Sequence, residues 1–341
     1  MSALHQSSPV NTDTLLDIRD LYVEYLIPNG SVQAVDGVSF SIAQGEVFGL
    51  AGESGCGKST IANAILRILR PPAIITGGEV SLKGEDILKM PPEQLESMRW
   101  RDVAMVFQSA LNALNPVTKI SSQITDVLMR HQKMPSTLAR RRAAELLELV
   151  NIDPQRLDSY PHELSGGMRQ RVMIAMALAL DPPLLIMDEP TTALDVVVEK
   201  DIMQQIENLK KSLGFSILFI SHDLSLMVEI SDRIAIMYAG QIVELAPARE
   251  IFNNPLHPYT QGLLSSFPPL RGEKRRLVGI PGAPPNMAHP PSGCRFHPRC
   301  TVCKSIETQV TPELREVLPG HWVAVHQGMP GVEQYVQSVN E

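Results

Sequence analysis

Eight residues in the first fifth of the chain have the types and the spacing of a loop that binds phosphate groups. Residues 52–59 read Gly-Glu-Ser-Gly-Cys-Gly-Lys-Ser, which matches the pattern G-x-x-x-x-G-K-[ST]. Glycines let the backbone fold closely around phosphate oxygens, with N–H groups pointing inward at the start of the next helix. We expect Lys58 to reach the β- and γ-phosphates and Ser59 to offer its hydroxyl to Mg²⁺. The predicted nucleotide-binding residues here are Gly52, Glu53, Ser54, Gly55, Cys56, Gly57, Lys58, Ser59 and Thr60.

An apolar run that ends in two acidic residues has the pattern of a strand that delivers carboxylates to a metal and to water. Residues 184–187 read Leu-Leu-Ile-Met, and Asp188 and Glu189 follow directly. A carboxylate at the end of such a strand can hold Mg²⁺ directly or through water. The role expected of Glu189 is to orient or deprotonate the water that attacks the γ-phosphate. Surface acids form the same pair in many proteins, so this prediction depends on the motifs that accompany it.

Four more motifs, in order along the chain, resemble those of the ATPase subunits of ABC transporters. The matching residues are Gln108 after the apolar run 103–107, Ser165, Gly166 and Gly167 with Gln170, Asp195, and His222 after the apolar run 215–220. In that family these are the Q-loop, signature motif, D-loop and switch histidine, and kinases and GTPases lack the signature motif. The resemblance implies ATP and Mg²⁺ as ligands. It also implies catalytic roles for Lys58, Gln108, Glu189 and His222, and metal contacts from Ser59, Gln108 and Asp188.

The resemblance further implies two ATPase subunits that act as a pair. The signature motif of one subunit would bind the γ-phosphate of ATP held by the other, since small residues at a helix N-terminus expose N–H groups to an anion. ATP binding would close the pair, and hydrolysis would reopen it. We expect Tyr25 to stack on adenine, with Tyr22 as the second choice; an ordinary core or edge-strand tyrosine is the alternative.

Strands alternate with helices along most of the chain, which predicts a largely parallel sheet covered on both faces. The spacing of Ile61, Ala64, Ile65, Ile68 and Leu69 predicts a helix directly after the phosphate-binding loop. The predicted fold class is α/β: a P-loop NTPase core of the ABC ATPase type, with antiparallel β elements at the N-terminus and an inserted helical subdomain at about 115–168. Proline and glycine become dense after about residue 247. We therefore predict an ATPase domain at 14–249 and a small Pro-rich C-terminal module at 250–341.

The C-terminal module carries segments that resemble importers of the oligopeptide and dipeptide type. Residues 257–264 read His-Pro-Tyr-Thr-Gln-Gly-Leu-Leu, and residues 293–300 read Gly-Cys-Arg-Phe-His-Pro-Arg-Cys. The resemblance implies three kinds of partner: a second, identical or similar ATPase subunit, two transmembrane permeases and an extracytoplasmic solute-binding protein. The expected location is the cytoplasmic face of the cell membrane. Peptide is the expected cargo, with oligosaccharide or nickel as alternatives, because the binding protein and permeases choose it.

Composition and motif content argue against other classes of function. The net charge of −7 gives no reason to expect nucleic acid as a partner, and no apolar stretch approaches the roughly 20 residues of a membrane-spanning helix. The first 13 residues lack the basic start and apolar middle of a secretion signal, so we expect a cytosolic chain. An ABC ATPase outside transport usually carries two cassettes or a long coiled-coil insertion, and a non-hydrolysing regulator would lack Glu189 or His222. The sequence therefore favours the importer ATPase, and an ABC ATPase outside transport stays as the less favoured alternative.

Three cysteines of the C-terminal module leave the question of a metal site open. Many members of the resembled family have four cysteines here that suit an iron–sulfur cluster, and Cys294 and Cys300 match two of them. Glu307 and Val325 occupy the other two positions, while Cys303 is an additional cysteine. Three thiolates are fewer than the usual four, and the spacing is a poor match to zinc sites. A cluster on Cys294, Cys300 and Cys303, a zinc site, and reduced structural cysteines all remain open.

Overall fold

A computed structural model describes residues 13–28, 30–107, 113–192, 194–266, 279–302 and 308–325. The strands of these residues are β1 (Thr14–Ile27), β2 (Gly30–Ala43), β3 (Val47–Ala51), β4 (Ala73–Leu82), β5 (Glu85–Asp86), β6 (Val103–Val106), β7 (Leu184–Asp188), β8 (Ser216–Ser221), β9 (Arg233–Tyr238), β10 (Gln241–Pro247), β11 (Leu314–Leu318) and β12 (His321–Ala324). Their α-helices are α1 (Lys58–Ile65), α2 (Pro92–Arg101), α3 (Ile120–Gln132), α4 (Ser136–Leu149), α5 (Gly166–Ala177), α6 (Val196–Leu213), α7 (Leu224–Ile230), α8 (Ala248–Asn253) and α9 (Pro258–Ser265). None of these described helices is both long enough and apolar enough to cross a membrane.

The N-terminal strands form an antiparallel sheet in the order β2-β1-β4-β5. Ile18 of β1 is buried, because successive side chains of a strand point to opposite faces and one face packs on the core. A register shift between Ile18 and Leu21 lets the buried set continue at Leu21 and Val23. The predicted antiparallel elements at the N-terminus are confirmed, and Tyr22 and Tyr25 lie on one strand of this sheet.

The central sheet has the strand order β11-β12-β10-β9-β3-β8-β7-β6. Strands β9, β3, β8, β7 and β6 run parallel, and every residue of β3, β7 and β8 is buried. Their nearly continuous apolar sequences follow from cover on both faces, since a strand without a solvent face needs no polar alternation. The paired residues Ala51–Ser221 and Asp188–Ile220 show that β3, β7 and β8 end at the same edge of the sheet.

Helices α3, α4 and α5 lie between β6 and β7 in the chain and form the helical insertion. Their buried residues include Ile124 of α3, Leu128 of α3 and Leu146 of α4, which belong to one apolar cluster together with Leu185 of the central sheet. The insertion is therefore attached to the core by continuous apolar packing. Its last helix, α5, begins directly after Ser165, so the packing of these helices fixes where the segment around Ser165 lies.

Helix α1 ends at Ile65, four residues before the helical spacing predicted, so that part of the prediction is wrong. Arg67 has a φ of 49°, in the left-handed region that ends an α-helix. The Arg99 guanidinium donates to the carbonyl of Arg67 and to that of the residue before it, both at 2.9 Å. These acceptors would otherwise be left over at the helix end. Ile68 and Leu69 still pack against the core, and this burial explains the helix-like spacing outside a helix.

The C-terminal module continues the central sheet instead of forming a separate layer. Strand β12 pairs with β10 and β11 pairs with β12, both antiparallel. The fully buried carboxylate of Glu244 on β10 accepts from the backbone N–H groups of Leu256 and His257 and lies 2.7 Å from Nε2 of His321. A charge with three hydrogen-bond partners can remain buried. The module is thus joined to the core by polar as well as apolar contacts.

Candidate nucleotide-binding site

The phosphate-binding loop of residues 52–59 begins after β3 and leads into α1, the context that its sequence pattern requires. Gly52 and Gly57 have φ angles of 149° and 111°. A Cβ at Gly52 would lie 2.2 Å from the carbonyl oxygen of Met237, and one at Gly57 would lie 2.1 Å from that of Ala34, so both positions require glycine. The loop therefore wraps closely around the N-terminus of α1, where N–H groups without intrahelical partners favour anions.

Lys58 places a positive charge inside this loop. Its ammonium group donates to the carbonyl oxygens of Gly52 (2.7 Å) and Glu53 (3.0 Å) and lies 3.6 Å from the sulfur of Cys56. Only 5% of Lys58 is exposed. Burial raises the pKa of the Cys56 thiol, which keeps this side chain neutral beside the lysine. A buried cation surrounded by backbone groups is suited to phosphate oxygens.

Asp188 ends β7 and is buried beside Ser59, the last residue of the loop. The Ser59 side chain lies close enough to the Asp188 carboxyl group to influence its pKa, and the Asp188 Oδ1 is buried and has no hydrogen-bond partner among the described residues. Burial raises the pKa of Asp188, the Ser59 hydroxyl lowers it, and the nearby charge of Glu189 raises it again, with a net shift upward. A hydroxyl and an unpartnered carboxylate oxygen are the hard oxygen donors that Mg²⁺ prefers. Both residues fit the predicted metal site; the third predicted ligand, Gln108, lies outside the described residues.

Glu189 follows Asp188 with a φ of 46°, a conformation that is uncommon outside glycine and recurs at functional sites. Its N–H donates to Ile220 of β8 (2.9 Å), and its Oε1 lies 3.3 Å from Nδ1 of the exposed His222. Its Oε2 accepts from the hydroxyl of Thr192 at 3.1 Å. The adjacent ends of β7 and β8 thus bring the predicted catalytic pair together. Sequence reasoning missed Thr192, although a hydroxyl three residues after a strand-end carboxylate was a usable signal.

Tyr25, the first choice for an adenine-stacking residue, lies beside the helix that follows the phosphate-binding loop. Its hydroxyl lies 3.3 Å from Oγ1 of Thr60 in the first turn of α1. Tyr22 instead packs over Gly37 and Gly77, where added Cβ atoms would lie 3.1 and 3.3 Å from its side chain. An aromatic ring beside the first turn of α1 is in reach of a base whose phosphates occupy the loop, so the geometry favours Tyr25.

The second predicted phosphate site lies at the start of α5. Ser165 is the N-cap residue, and its hydroxyl accepts a backbone N–H of the first turn at 3.3 Å. Ser165, Gly166, Gly167 and Asp195 line an open cleft of about 680 Å³. Within the described part of the chain, no residue of the phosphate-binding loop lines this cleft. Gln170 is 3% exposed and its Nε2 is buried, so the structure does not bring this predicted residue to the cleft.

Two groups of predicted residues have partners that the sequence did not indicate. The Glu53 carboxylate accepts two hydrogen bonds from Arg299, at 2.7 and 3.0 Å.

The described cysteines of the C-terminal module do not form a set of free thiolates. Cys294 is buried, and Cys300 belongs to a disulfide, so Cys300 does not offer a thiolate to a metal. No group of three or more His, Cys, Asp and Glu residues in the described ranges could hold a metal ion. Cys303 lies outside those ranges, and the iron–sulfur prediction gains no support from the residues described.

Solved structures of similar fold are ATP-binding cassettes. The dimeric ATP-binding cassette MJ0796, in a post-hydrolysis state bound to ADP and Pi, superimposes with a TM-score of 0.62 and 27% identity, over 69% of this chain and 99% of that chain. The family model described as ABC transporter matches residues 35–192. A second model, described as oligopeptide/dipeptide transporter, C-terminal region, matches residues 243–306. Fold and motifs together define the class as that of the ABC ATPases.

Three curated relatives narrow this class. The oligopeptide transport ATP-binding protein of Bacillus subtilis is 42% identical over 95% of this chain and 92% of its own length. A putative peptide import ATP-binding protein of Brucella melitensis is 47% identical over 87% and 90%. A dipeptide transport ATP-binding protein of Caldanaerobacter subterraneus is 41% identical over 88% and 92%. The chain belongs to the family of ATP-binding subunits of oligopeptide and dipeptide ABC transporters.

Proposed function

We propose that this chain hydrolyses ATP to power the import of oligopeptides or dipeptides through a membrane transporter. The observation that carries this proposal is the meeting of Lys58, Asp188, Glu189 and His222 at one edge of the central sheet. The names of the similar proteins, which are oligopeptide, peptide and dipeptide transport ATP-binding proteins, support peptide as the cargo. The match of residues 243–306 to a C-terminal region of such transporters supports the same cargo.

The phosphate-binding loop and its neighbours bind the nucleotide in this proposal. Lys58, held in place by the loop carbonyls, donates to the β- and γ-phosphates, and Tyr25 stacks on the adenine. Ser59 and Asp188 hold Mg²⁺, with Gln108 as the third predicted ligand. When bound, the ion neutralises charge on the phosphate oxygens. The unpartnered Oδ1 of Asp188 supports this assignment, because a cation would satisfy it.

Glu189 orients and deprotonates the attacking water. The contacts at Oε1 with His222 (3.3 Å) and at Oε2 with Thr192 (3.1 Å) restrict its carboxylate to one orientation. A general base must be held within hydrogen-bond reach of the proton that it removes. We therefore assign His222 and Thr192 to the orientation of this carboxylate.

The open cleft at the start of α5 would bind the phosphate of a nucleotide that a second subunit holds. No described residue of the phosphate-binding loop lines it, so a phosphate at Ser165, Gly166 and Gly167 would arrive with a nucleotide held by a second ATPase subunit. Asp195, which lines the cleft, remains a predicted contributor to this interface, whereas the buried Gln170 does not line it. The dimeric state of the similar cassette supports the arrangement.

The remaining partners in this proposal are two permeases and an extracytoplasmic solute-binding protein, and no nucleic acid is involved. The chain would lie at the cytoplasmic face of the membrane as a peripheral subunit.

The test of the proposed function is ATP hydrolysis by the whole transporter, reconstituted in lipid with its binding protein. Di- and oligopeptides, oligosaccharides and Ni²⁺ are offered in turn, and we expect stimulation by peptides. Glu189→Gln should retain ATP binding and lower kcat by about 10²–10⁴-fold, the usual contribution of a positioned general base. Glu207→Gln, on the surface of α6, is the matched control and should hydrolyse ATP normally. Normal hydrolysis by Glu189→Gln would refute the role of Glu189, and stimulation by no cargo would refute import.

A further inference from the structure

The second residue of the phosphate-binding loop, Glu53, is held at each of its polar groups. Its carboxylate accepts the two hydrogen bonds from Arg299, at 2.7 and 3.0 Å. Its N–H donates to the hydroxyl of Tyr259 at 3.0 Å, and its carbonyl accepts from Lys58 at 3.0 Å. Arg299 and Tyr259 both belong to the C-terminal module. That module therefore touches the loop directly, at a residue whose carbonyl is a partner of the phosphate-binding lysine.

The Arg299 side chain is held in one position by contacts other than the one with Glu53. Its side chain is 6% exposed, and its Nε donates to the carbonyl of Pro281 at 2.9 Å. Its guanidinium group lies over the ring of Tyr238, 5.7 Å from the centroid, and donates to the Tyr238 hydroxyl at 3.4 Å. A planar guanidinium whose other contacts are already made loses little freedom when it binds a carboxylate through two hydrogen bonds. The contact with Glu53 is thus directional as well as electrostatic.

Tyr259 is also held by rigid neighbours. It is fully buried on α9, and its ring centroid lies 4.6 Å from that of Tyr238 and 5.4 Å from that of Phe296. Tyr238 ends β9 in the ATPase core, whereas Phe296 belongs to the C-terminal module. This aromatic cluster holds the Tyr259 hydroxyl at the backbone of Glu53.

A second buried arginine of the module provides an internal comparison. Arg295 lies four residues before Arg299 and donates to Asp36 (2.5 Å) and Gln33 (3.2 Å) of β2 and to the carbonyl of Ala239. Its side chain is 8% exposed, so its burial matches that of Arg299. Arg295 fastens the module to the core, but its polar contacts are not with Glu53. The two arginines therefore separate docking of the module from contact with the loop.

We propose that Arg299 and Tyr259 are positioning residues that hold the phosphate-binding loop in its nucleotide-binding conformation, so that the C-terminal module sets the affinity for Mg-ATP. This inference rests on the ATPase function proposed above. The Lys58 ammonium group donates to the carbonyls of both Gly52 and Glu53. If Glu53 lost its contacts with Arg299 and Tyr259, the loop would no longer hold the lysine in one position. Apparent affinity falls in proportion to the fraction of loops that are competent to bind. We expect kcat at saturating ATP to change little, because Glu189 and His222 directly follow β7 and β8 and their positions do not depend on the contacts of Glu53.

The test compares nucleotide affinity with turnover for Arg299→Gln in the full chain. Titration calorimetry gives Kd for Mg-ADP and for Mg-ATP, and the assembled transporter gives kcat and KM. We expect Kd and KM to rise about tenfold while kcat stays within about twofold. Glu53→Gln should reproduce this effect from the loop side with the module unaltered. The double variant should add little, because both changes break the same contact. Tyr259→Phe, which removes the hydroxyl, should raise Kd about threefold.

Three outcomes would overturn the inference. The first is an unchanged Kd in Glu53→Gln and Tyr259→Phe, which decides the question even if Arg299→Gln fails to fold. The second is an equal rise in Kd in Arg295→Gln, since docking alone would then explain the effect; we expect that variant to stay within about twofold of wild type. The third is a loss in kcat with KM unchanged. Arg315→Gln, exposed on β11, is the surface control. A wild-type chain that binds no Mg-ATP would instead refute the proposed function itself.

Discussion

The molecule presents two sites of the same kind, a turn of small residues at a helix N-terminus, in opposite surroundings. Residues 52–59 at α1 form a closed loop with a buried lysine at its centre, and the C-terminal module holds one of its residues. Residues 165–167 at α5 carry only a serine cap and face an open cleft. Both sites are turns of small residues at a helix start, so the difference comes from the lysine inside the first and from what packs around each of them.

This difference indicates which site works alone. Preorganised donors around a buried charge can bind a phosphate group within one chain. An exposed helix start in an open cleft lacks such enclosure and gains it when a second surface covers it. Even there, one side is closely packed: a Cβ at Gly167 would lie 2.7 Å from Val198 of α6. The first site is thus expected to govern nucleotide binding by the single chain, and the second to act only in the pair.

The largest effect should come from the centre of the closed site. Lys58→Ala removes the buried ammonium group and should lower ATP hydrolysis by at least about 10³-fold, because a cation aimed at the transferred phosphate is lost. Calorimetry should show that the single chain also loses measurable binding of Mg-ATP. Lys89→Ala removes a lysine that is 83% exposed and serves as the control. Wild-type affinity in Lys58→Ala would end the distinction between the two sites.

The open site should show the opposite separation of binding from hydrolysis. Ser165→Arg fills the cleft with a long side chain and should lower hydrolysis by the assembled transporter by about 10²–10³-fold, the effect of losing one preorganised donor group. The single chain should bind Mg-ATP with unchanged Kd, since Ser165 lies outside the closed loop. Ser136→Arg, at the exposed start of α4, is the matched control. If Ser165→Arg weakens binding by the single chain, the two sites are not separate.

The C-terminal module, which contacts the phosphate-binding loop, should lose stability at low pH. Burial lowers the pKa of His257 from 6.5 to about 4, and its Nδ1 accepts from the N–H of Tyr259 at 3.1 Å. Between pH 6.5 and pH 4, His257 is protonated in the unfolded chain but stays neutral in the folded chain. Its contribution to the free energy of unfolding is therefore fully present above pH 6.5 and is lost as the pH falls toward 4. The loss is about 3 kcal/mol for a shift of this size.

Urea unfolding of wild type and His257→Asn at pH 7.5, 6 and 4.5 measures this contribution. Asparagine can still accept the N–H at the helix start, so the cap is retained while the titration is removed. The variant should lose less stability than wild type between pH 7.5 and 4.5. Parallel losses in the two proteins would show that His257 is not the group responsible.

The closed site could be predicted from sequence better than its surroundings, for a physical reason. Lys58, Asp188 and His222 follow buried strands, and parallel strands deliver their carboxyl ends to one edge, so sequence order alone implies that they meet. Arg299 stands 246 residues from Glu53, and nothing in local spacing connects the two. Gln170 shows the reverse error: it belongs to a recognised motif, but the periodicity of α5 turns it inward. The early end of α1 depends on Arg99, which lies 33 residues from the carbonyl that it binds there, beyond the reach of helical periodicity.

The smallest expected effect concerns the aromatic residue at the edge of the closed site. Tyr25→Ala should raise the Kd for Mg-ATP about tenfold, since stacking on a base contributes roughly 1–3 kcal/mol. Tyr25→Phe keeps the ring and loses only the 3.3 Å contact with Thr60, so its affinity should stay near that of wild type. Tyr22→Ala tests the neighbouring tyrosine, which packs over Gly37 and Gly77. A larger loss of affinity in Tyr22→Ala than in Tyr25→Ala would assign the adenine to Tyr22, away from the first turn of α1.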